Sequence, residues 1–245
     1  MKKLTLLLIL LITCQLSAQD DSAYVMYATI RLTPKSGHTK QLNDGLKAHN
    51  KKYHTEGAQQ VNVWSIDSGP RAGSLVWVMG PMTWTDNDTP MSDAHSADWT
   101  ANVEPHSDMG EWEYWKLAEG MTYAPEGHSA KVMQIRWFEI NENKGNNARH
   151  LFGTIIKAYK ELNYDMGLHV FTNQANAGDG RDWGILWMHS NWASLDKDRD
   201  FVEKYNEMYG DDAWDEFWEN WLDAANFKGM EFHSLLPELS VAGSN

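Results

Sequence analysis

The chain has 245 residues, with 21 Lys and Arg against 34 Asp and Glu, a formal net charge of −13 with His neutral. That balance argues against nucleic acid or an anionic membrane surface as partner, since phosphate binding needs a basic face. The one cysteine, Cys14, leaves the folded part without a disulfide, which a chain of this length can do without because it buries enough core.

Residues 1–18 carry Lys2 and Lys3, an apolar run over 4–12 and the short stretch Gln15-Leu16-Ser17-Ala18. This is the pattern of a signal peptide cleaved after Ala18, and its apolar run is shorter than the about 20 residues a membrane span needs. A periplasmic or secreted protein is expected, with no membrane attachment beyond lipidation at Cys14 should Leu11-Ile12-Thr13-Cys14 act as a lipobox. Without Lys2 and Lys3 the mature charge is 19 − 34 = −15.

The remainder reads as one pattern written twice, with units expected at 19–126 and 127–245. Lys47-Ala48-His49 answers Lys157-Ala158-Tyr159 at 157 − 47 = 110, and Leu75-Val76-Trp77 answers Ile185-Leu186-Trp187 at 185 − 75 = 110. Ile30-Arg31 matches Ile135-Arg136 at 135 − 30 = 105.

In chain order, period-two runs predict strands over 24–33 and 131–140, each followed by a helix, over 37–54 and 144–163. Strand pairs follow, over 60–67 with 74–80 and over 168–173 with 183–189, their turns marked by Ser68-Gly69-Pro70 and Ala177-Gly178-Asp179-Gly180. The second helix is clearest in the C-terminal unit, where Trp214, Phe217, Trp218, Trp221, Leu222 and Ala225 share a face. Last strands are expected over 113–123 and 228–236. The order strand, helix, strand, strand, helix, strand is that of a ferredoxin-like unit, so the fold class is α+β, two tandem ferredoxin-like units in one chain.

With its repeated element order and a Trp on the third strand of each unit, the chain resembles the dimeric α+β barrel superfamily, which includes antibiotic-biosynthesis-monooxygenase-like proteins. The resemblance implies two sheets face to face around a lumen, in a monomer or homodimer. Alternation along the first strands then sends Tyr27, Thr29 and Arg31, with Gln134, Arg136 and Phe138, into that lumen, and sets Met133, Ile135 and Trp137 under the helices. The same parity adds Asn62, Trp64, Trp77 and Met79, and His169, Phe171, Trp187 and His189. Arg31, Arg136, Trp77, Trp187, His169 and Asn62 are thus the expected contacts of a small aromatic or anionic ligand, since a buried arginine needs a carboxylate or an anionic guest.

On the N-terminal second helix, His95, Asp98, Asn102 and His106 fall three or four residues apart, a spacing able to present a general base, although Pro105 should end the helix before His106. His95 and His189 are the expected catalytic bases if the lumen hosts an oxygenase or isomerase that works without a heavy cofactor. No metal site is expected, because no second close His pair or cysteine set joins them. Some members of the superfamily degrade haem with a first-strand Asn, a third-strand Trp and a helix His. Trp84 or Trp77 and His95 could fill the last two places, but Thr29 and Gln134 stand where the Asn should be, so the cofactor is unassigned and haem is disfavoured. Two other readings remain: a non-catalytic interaction module whose lumen is filled by its own side chains, and carbohydrate binding through exposed Trp.

Overall fold

Alternating apolar residues fold into eight strands in the computed structural model, which describes residues 24–175 and 178–241. They are β1 (Met26–Pro34), β2 (Val61–Ile66), β3 (Leu75–Met82), β4 (Ser107–Tyr123), β5 (Val132–Ile140), β6 (Gly167–Asn173), β7 (Trp183–His189) and β8 (Ala225–Leu235). The helices are α1 (Thr39–Tyr53), α2 (Asp93–Asn102), α3 (Gly145–Glu161), α4 (Phe201–Tyr209) and α5 (Ala213–Ala224). The expected signal peptide and Cys14 lie outside the described residues, as does Ala177 of the second turn. No helix among the described residues is long and apolar enough to cross a membrane.

The strands close into a barrel in the order β1-β3-β2-β8-β5-β7-β6-β4, every neighbouring pair antiparallel. Each half repeats one order, β4-β1-β3-β2 and β8-β5-β7-β6, so the chain is α+β with two ferredoxin-like sheets. Two seams join them. One is short, with Trp64, Ser65 and Ile66 of β2 opposite Leu235, Ser234 and His233 of β8. The other uses the length of β4, which pairs with β1 from Ser107 to Lys116 and with β6 from Trp115 to Tyr123. Among the described residues, closure leaves no free sheet edge.

The helices cover the outside of the barrel. Leu42, Leu46 and His49 of α1 are buried against the outer face of β1, β2 and β3, and Phe152, Ile156 and Tyr159 of α3 repeat those positions 110 residues later. As Pro105 requires, α2 stops at Asn102, and Glu104–His106 forms a separate 3-10 turn with the proline in its first positions. The helix α4 was not predicted; it is 9 residues long, buries only Tyr205 fully, and follows the charged run Lys197-Asp198-Arg199-Asp200, which reads as a loop.

The expected faces of β3, β5 and β7 are reversed, and for β5 the ladder gives the reason. Leu32 of β1 pairs with Leu75, and Arg136 of β5 pairs with Ile185. With 185 − 75 = 110 fixed for the third strands, the ladder equates Arg136 with Leu32, at 136 − 32 = 104 rather than 105. A slip of one residue exchanges the faces of a strand. Met133, Ile135 and Trp137 therefore point into the lumen, and Phe138 joins the core beneath the helices. Leu46 is fully buried in the N-terminal core, so Leu46→Ala should lower unfolding stability by about 2–5 kcal/mol, measured as an earlier denaturant midpoint with an unchanged slope.

Candidate functional site

The inward positions of the eight strands leave a cavity of about 240 Å³. One wall is apolar, built from Trp64, Met133 and Ile135 with Val78, Leu186 and Met188. Tyr27 and Phe171 meet edge to face at 5.8 Å on another side. The remaining lining includes the charged groups Arg31, Arg71, Arg181 and Glu113.

Most of that charge is matched internally. Arg71, from the turn between β2 and β3, forms a bidentate pair with Glu231 of β8, Nε to Oε1 and Nη2 to Oε2 both at 2.7 Å. His233 Nε2 stands 3.0 Å from Glu231 Oε2. Burial works to raise the Glu231 pKa, but hydrogen bonds from His233 and Arg71 outweigh it and hold the carboxyl at about 2. Arg181, from the turn between β6 and β7, pairs with Glu113 of β4 and with Asp179, and Trp115 Nε1 donates to Glu113 Oε2 at 3.3 Å. The guanidinium carbons of Arg71 and Arg181 each lie 5.4 Å from the Trp137 ring, a cation–π arrangement. Gly184 makes this possible, since a Cβ there would stand 2.7 Å from Trp137 Cζ3.

Arg31 is different. Its Nη1 donates to Thr33 Oγ1 at 2.8 Å, and among the described residues no carboxylate lies within ion-pair distance of it. Gly110 on the adjacent β4 gives it room, because a Cβ there would already touch its side chain at 3.2 Å. Across the cavity, His169 Nδ1 meets Thr122 Oγ1 at 2.8 Å. Burial, assisted by His128, lowers the His169 pKa to about 4, so the imidazole is neutral near pH 7.

Of the expected contacts, the structure brings Arg31, Asn62 and His169 together around the lumen. It places Arg136, Trp77 and Trp187 on the other face of their strands, which corrects their assignment to the lumen. Trp77 Nε1 donates to Asn50 Oδ1 at 2.9 Å under α1, and Trp187 Nε1 donates to the Tyr159 hydroxyl at 3.1 Å under α3. The guanidinium of Arg136 lies 5.0 Å from the Trp187 ring. His189 is buried behind the connection that follows β7, its Nδ1 2.9 Å from Ser194 Oγ. His95 sits on α2, outside the barrel, with its Nε2 3.2 and 3.1 Å from the Nε2 atoms of His49 and His54. Neither expected base reaches the lumen, because both lie on the helix side of the sheet. The expected polar face of α2 also divides: Asp98 accepts from Asn102 and meets His49, whereas His106 meets His38.

Sequence reading missed Arg71, Arg181 and Glu231. A signal existed for the arginines, which are separated by 181 − 71 = 110, the spacing of the third strands. Haem does not fit this lumen: at about 240 Å³ it lies just under the low end of the roughly 300–1,000 Å³ of pockets for drug-sized ligands, room for a guest much smaller than a haem. Trp84 is exposed, and Trp77 and His95 both face away from the lumen.

No family model matches the sequence, and no curated protein matches it. Solved structures match by shape. An anthrone oxidase-like protein superposes with a TM-score of 0.59 at 7% identity, covering 92% of this chain and 96% of that one. A provisionally named monooxygenase from Lactobacillus acidophilus gives 0.56 at 10%, covering 87% and 93%. A chlorite dismutase variant from Candidatus Nitrospira defluvii gives 0.51 at 10%, covering 88% and 92%. The fold is that of the dimeric α+β barrel. Identity this low shows the fold alone.

Losing either partner of the Arg71–Glu231 pair strands a buried charge, so Glu231→Gln should cost about 3 kcal/mol at neutral pH. A carboxyl held below its ordinary value of 4.5 contributes stability in full above that value and loses it as pH falls towards about 2. The gap in denaturant midpoint between wild type and Glu231→Gln should therefore be constant above pH 5 and shrink below it.

Proposed function

We propose that the barrel lumen binds a small aromatic anion, with Arg31 receiving the negative charge. The observation that carries this reading is the contrast among the three arginines of the lumen: Arg71 and Arg181 are neutralised by Glu231 and Glu113, whereas Arg31 has only a hydroxyl partner among the described residues. Desolvating a guanidinium without a counter-charge is unfavourable, and a bound carboxylate relieves that cost through charge-assisted hydrogen bonds. The indoles of Trp64, Trp115 and Trp137 and the rings of Tyr27 and Phe171 supply flat apolar surface for an aromatic body. The cavity of about 240 Å³ suits a single substituted ring.

The names of the structural neighbours, a monooxygenase and an anthrone oxidase-like protein among them, favour an oxygenase within this reading. Proton transfer there falls to His169, the neutral lumen imidazole, in place of His95 and His189. The internal pairing of Arg71 and Arg181 suits a wall that holds its shape with or without a guest. An open lumen favours ligand binding over an interaction module with a filled lumen.

The test is tryptophan fluorescence titration with benzoate, salicylate and 4-hydroxybenzoate. Binding by wild type and a loss of about 10–100-fold in Arg31→Gln, the range of a charge-assisted hydrogen bond, are the expected results. Equal affinity in the variant would remove Arg31 from the site. Oxygen uptake with the bound phenols, reduced in His169→Gln at unchanged affinity, checks the oxygenase reading.

A further inference from the structure

The N-terminal half contains a side-chain cluster that the lumen does not use. His49 one turn before the end of α1, His54 just after that end and His95 on α2 turn their Nε2 atoms towards one point, with separations of 3.2, 3.2 and 3.1 Å. His49 and His54 are fully buried. Positions five apart on an undisturbed helix point about 140° away from each other. Here α1 ends at Tyr53 and His54 leaves helical geometry at φ −125° and ψ 30°, which returns its ring to the side of His49.

Hydrogen bonding on the far side of the rings fixes where the protons are. His49 Nδ1 lies 2.8 Å from Asp98 Oδ2, and His54 Nδ1 lies 2.7 Å from the carbonyl oxygen of Gln59. Carboxylate and carbonyl oxygens only accept, so both Nδ1 atoms donate, and in the neutral rings both Nε2 atoms carry lone pairs. Two lone pairs 3.2 Å apart repel, and a single N–H from His95 can satisfy only one of them. His95 Nδ1 is itself buried and has no hydrogen-bond partner among the described residues.

The other half shows what packing alone accepts at these places. At the same offset, 159 − 49 = 110 and 164 − 54 = 110, stand Tyr159 and Tyr164, stacked at 4.7 Å with Phe201 packed on both. The equivalent corner of the fold is thus filled by three aromatic rings with no imidazole. Three converging imidazoles need a further reason.

We propose that His49, His54 and His95 bind one divalent first-row transition-metal ion, of the zinc type, through their Nε2 atoms, with Asp98 as the carboxylate that orients His49. Nitrogens bound to one zinc ion at about 2.0–2.1 Å in tetrahedral array stand about 3.3–3.4 Å apart, close to the sides of this triangle. Imidazole donors suit zinc, copper, nickel and iron, and the absence of carboxylate or carbonyl oxygen from the converging set disfavours magnesium and calcium. A His paired through its other nitrogen with a carboxylate is the usual support of such a ligand. Three protein ligands leave a fourth position for water or substrate. A separate cavity of about 420 Å³ is lined by His95 together with Gln59, Trp77, Trp99 and Trp112, so a small molecule in that space would stand beside one of the three ligands. This site lies outside the barrel and does not depend on the lumen reading.

Purified protein, stripped with chelator and shown by circular dichroism to remain folded, would be titrated with Co²⁺ and then Zn²⁺. The expected result is one equivalent of Co²⁺ with visible d–d bands of low coordination number, displacement by Zn²⁺, and a higher melting temperature with either ion. His95→Ala, at the least buried of the three positions, should lose the bands and the stabilisation, and Asp98→Asn should weaken affinity by about 10–100-fold. The double variant His49→Tyr with His54→Tyr copies the C-terminal half, and should fold and take up no stoichiometric ion. The proposal is overturned if folded, stripped wild type takes up no stoichiometric Co²⁺ or Zn²⁺. It is equally overturned if uptake persists in His95→Ala, for instance at the separate pair of His38 and His106.

Discussion

Closure of the eight strands into one barrel governs what every other side chain can do. A strand in a closed sheet has two faces and no free edge, so each residue faces either a lumen of fixed size or the outside of the barrel, which the helices cover in part. The long β4 and the short contact of β2 with β8 make the closure, and once they are in place the register of each ladder decides the chemistry of the interior. The lumen is mixed for this reason: strands that offer Trp64, Ile135 and Leu186 on one side bring Arg31, Glu113 and His233 to the same space.

Charges in such a space must be compensated, because water can solvate them only at the ends. Arg71 and Arg181 come from equivalent turns of the two halves, each reaches a carboxylate on a neighbouring strand, and both flank Trp137. The pairs brace one end of the barrel. Arg31, placed beside Gly110 with a threonine hydroxyl as its partner, is the departure from this scheme, since no carboxylate among the described residues pairs with it.

The two halves also act as controls for each other on the outside. Beneath the helices both rely on apolar packing, with Leu42 and Leu46 answered by Phe152 and Ile156. They part where α1 and α3 end. One half stacks Tyr159 on Tyr164, and the other gathers His49, His54 and His95. Equal backbone positions with unequal chemistry separate what the fold requires from what this half has added.

The element order and the period-two and helical patterns determined the fold class, and most strand and helix boundaries follow from them, because local periodicity is a property of neighbouring residues. Periodicity does not report register, and a single-residue error in equating Arg31 with Arg136 sent Met133, Ile135 and Trp137 to the wrong side. Arg31, Asn62 and His169 were legible as inward residues; Trp77, Trp187 and Arg136 were not legible as outward ones, because parity says that faces alternate without saying which face is which. Only the tertiary structure decided that Glu231 meets Arg71 across 160 residues, or that His95 meets two imidazoles at the end of another helix. Contacts of that kind depend on how closed sheet and packed helices place distant segments, and no spacing along the chain encodes them.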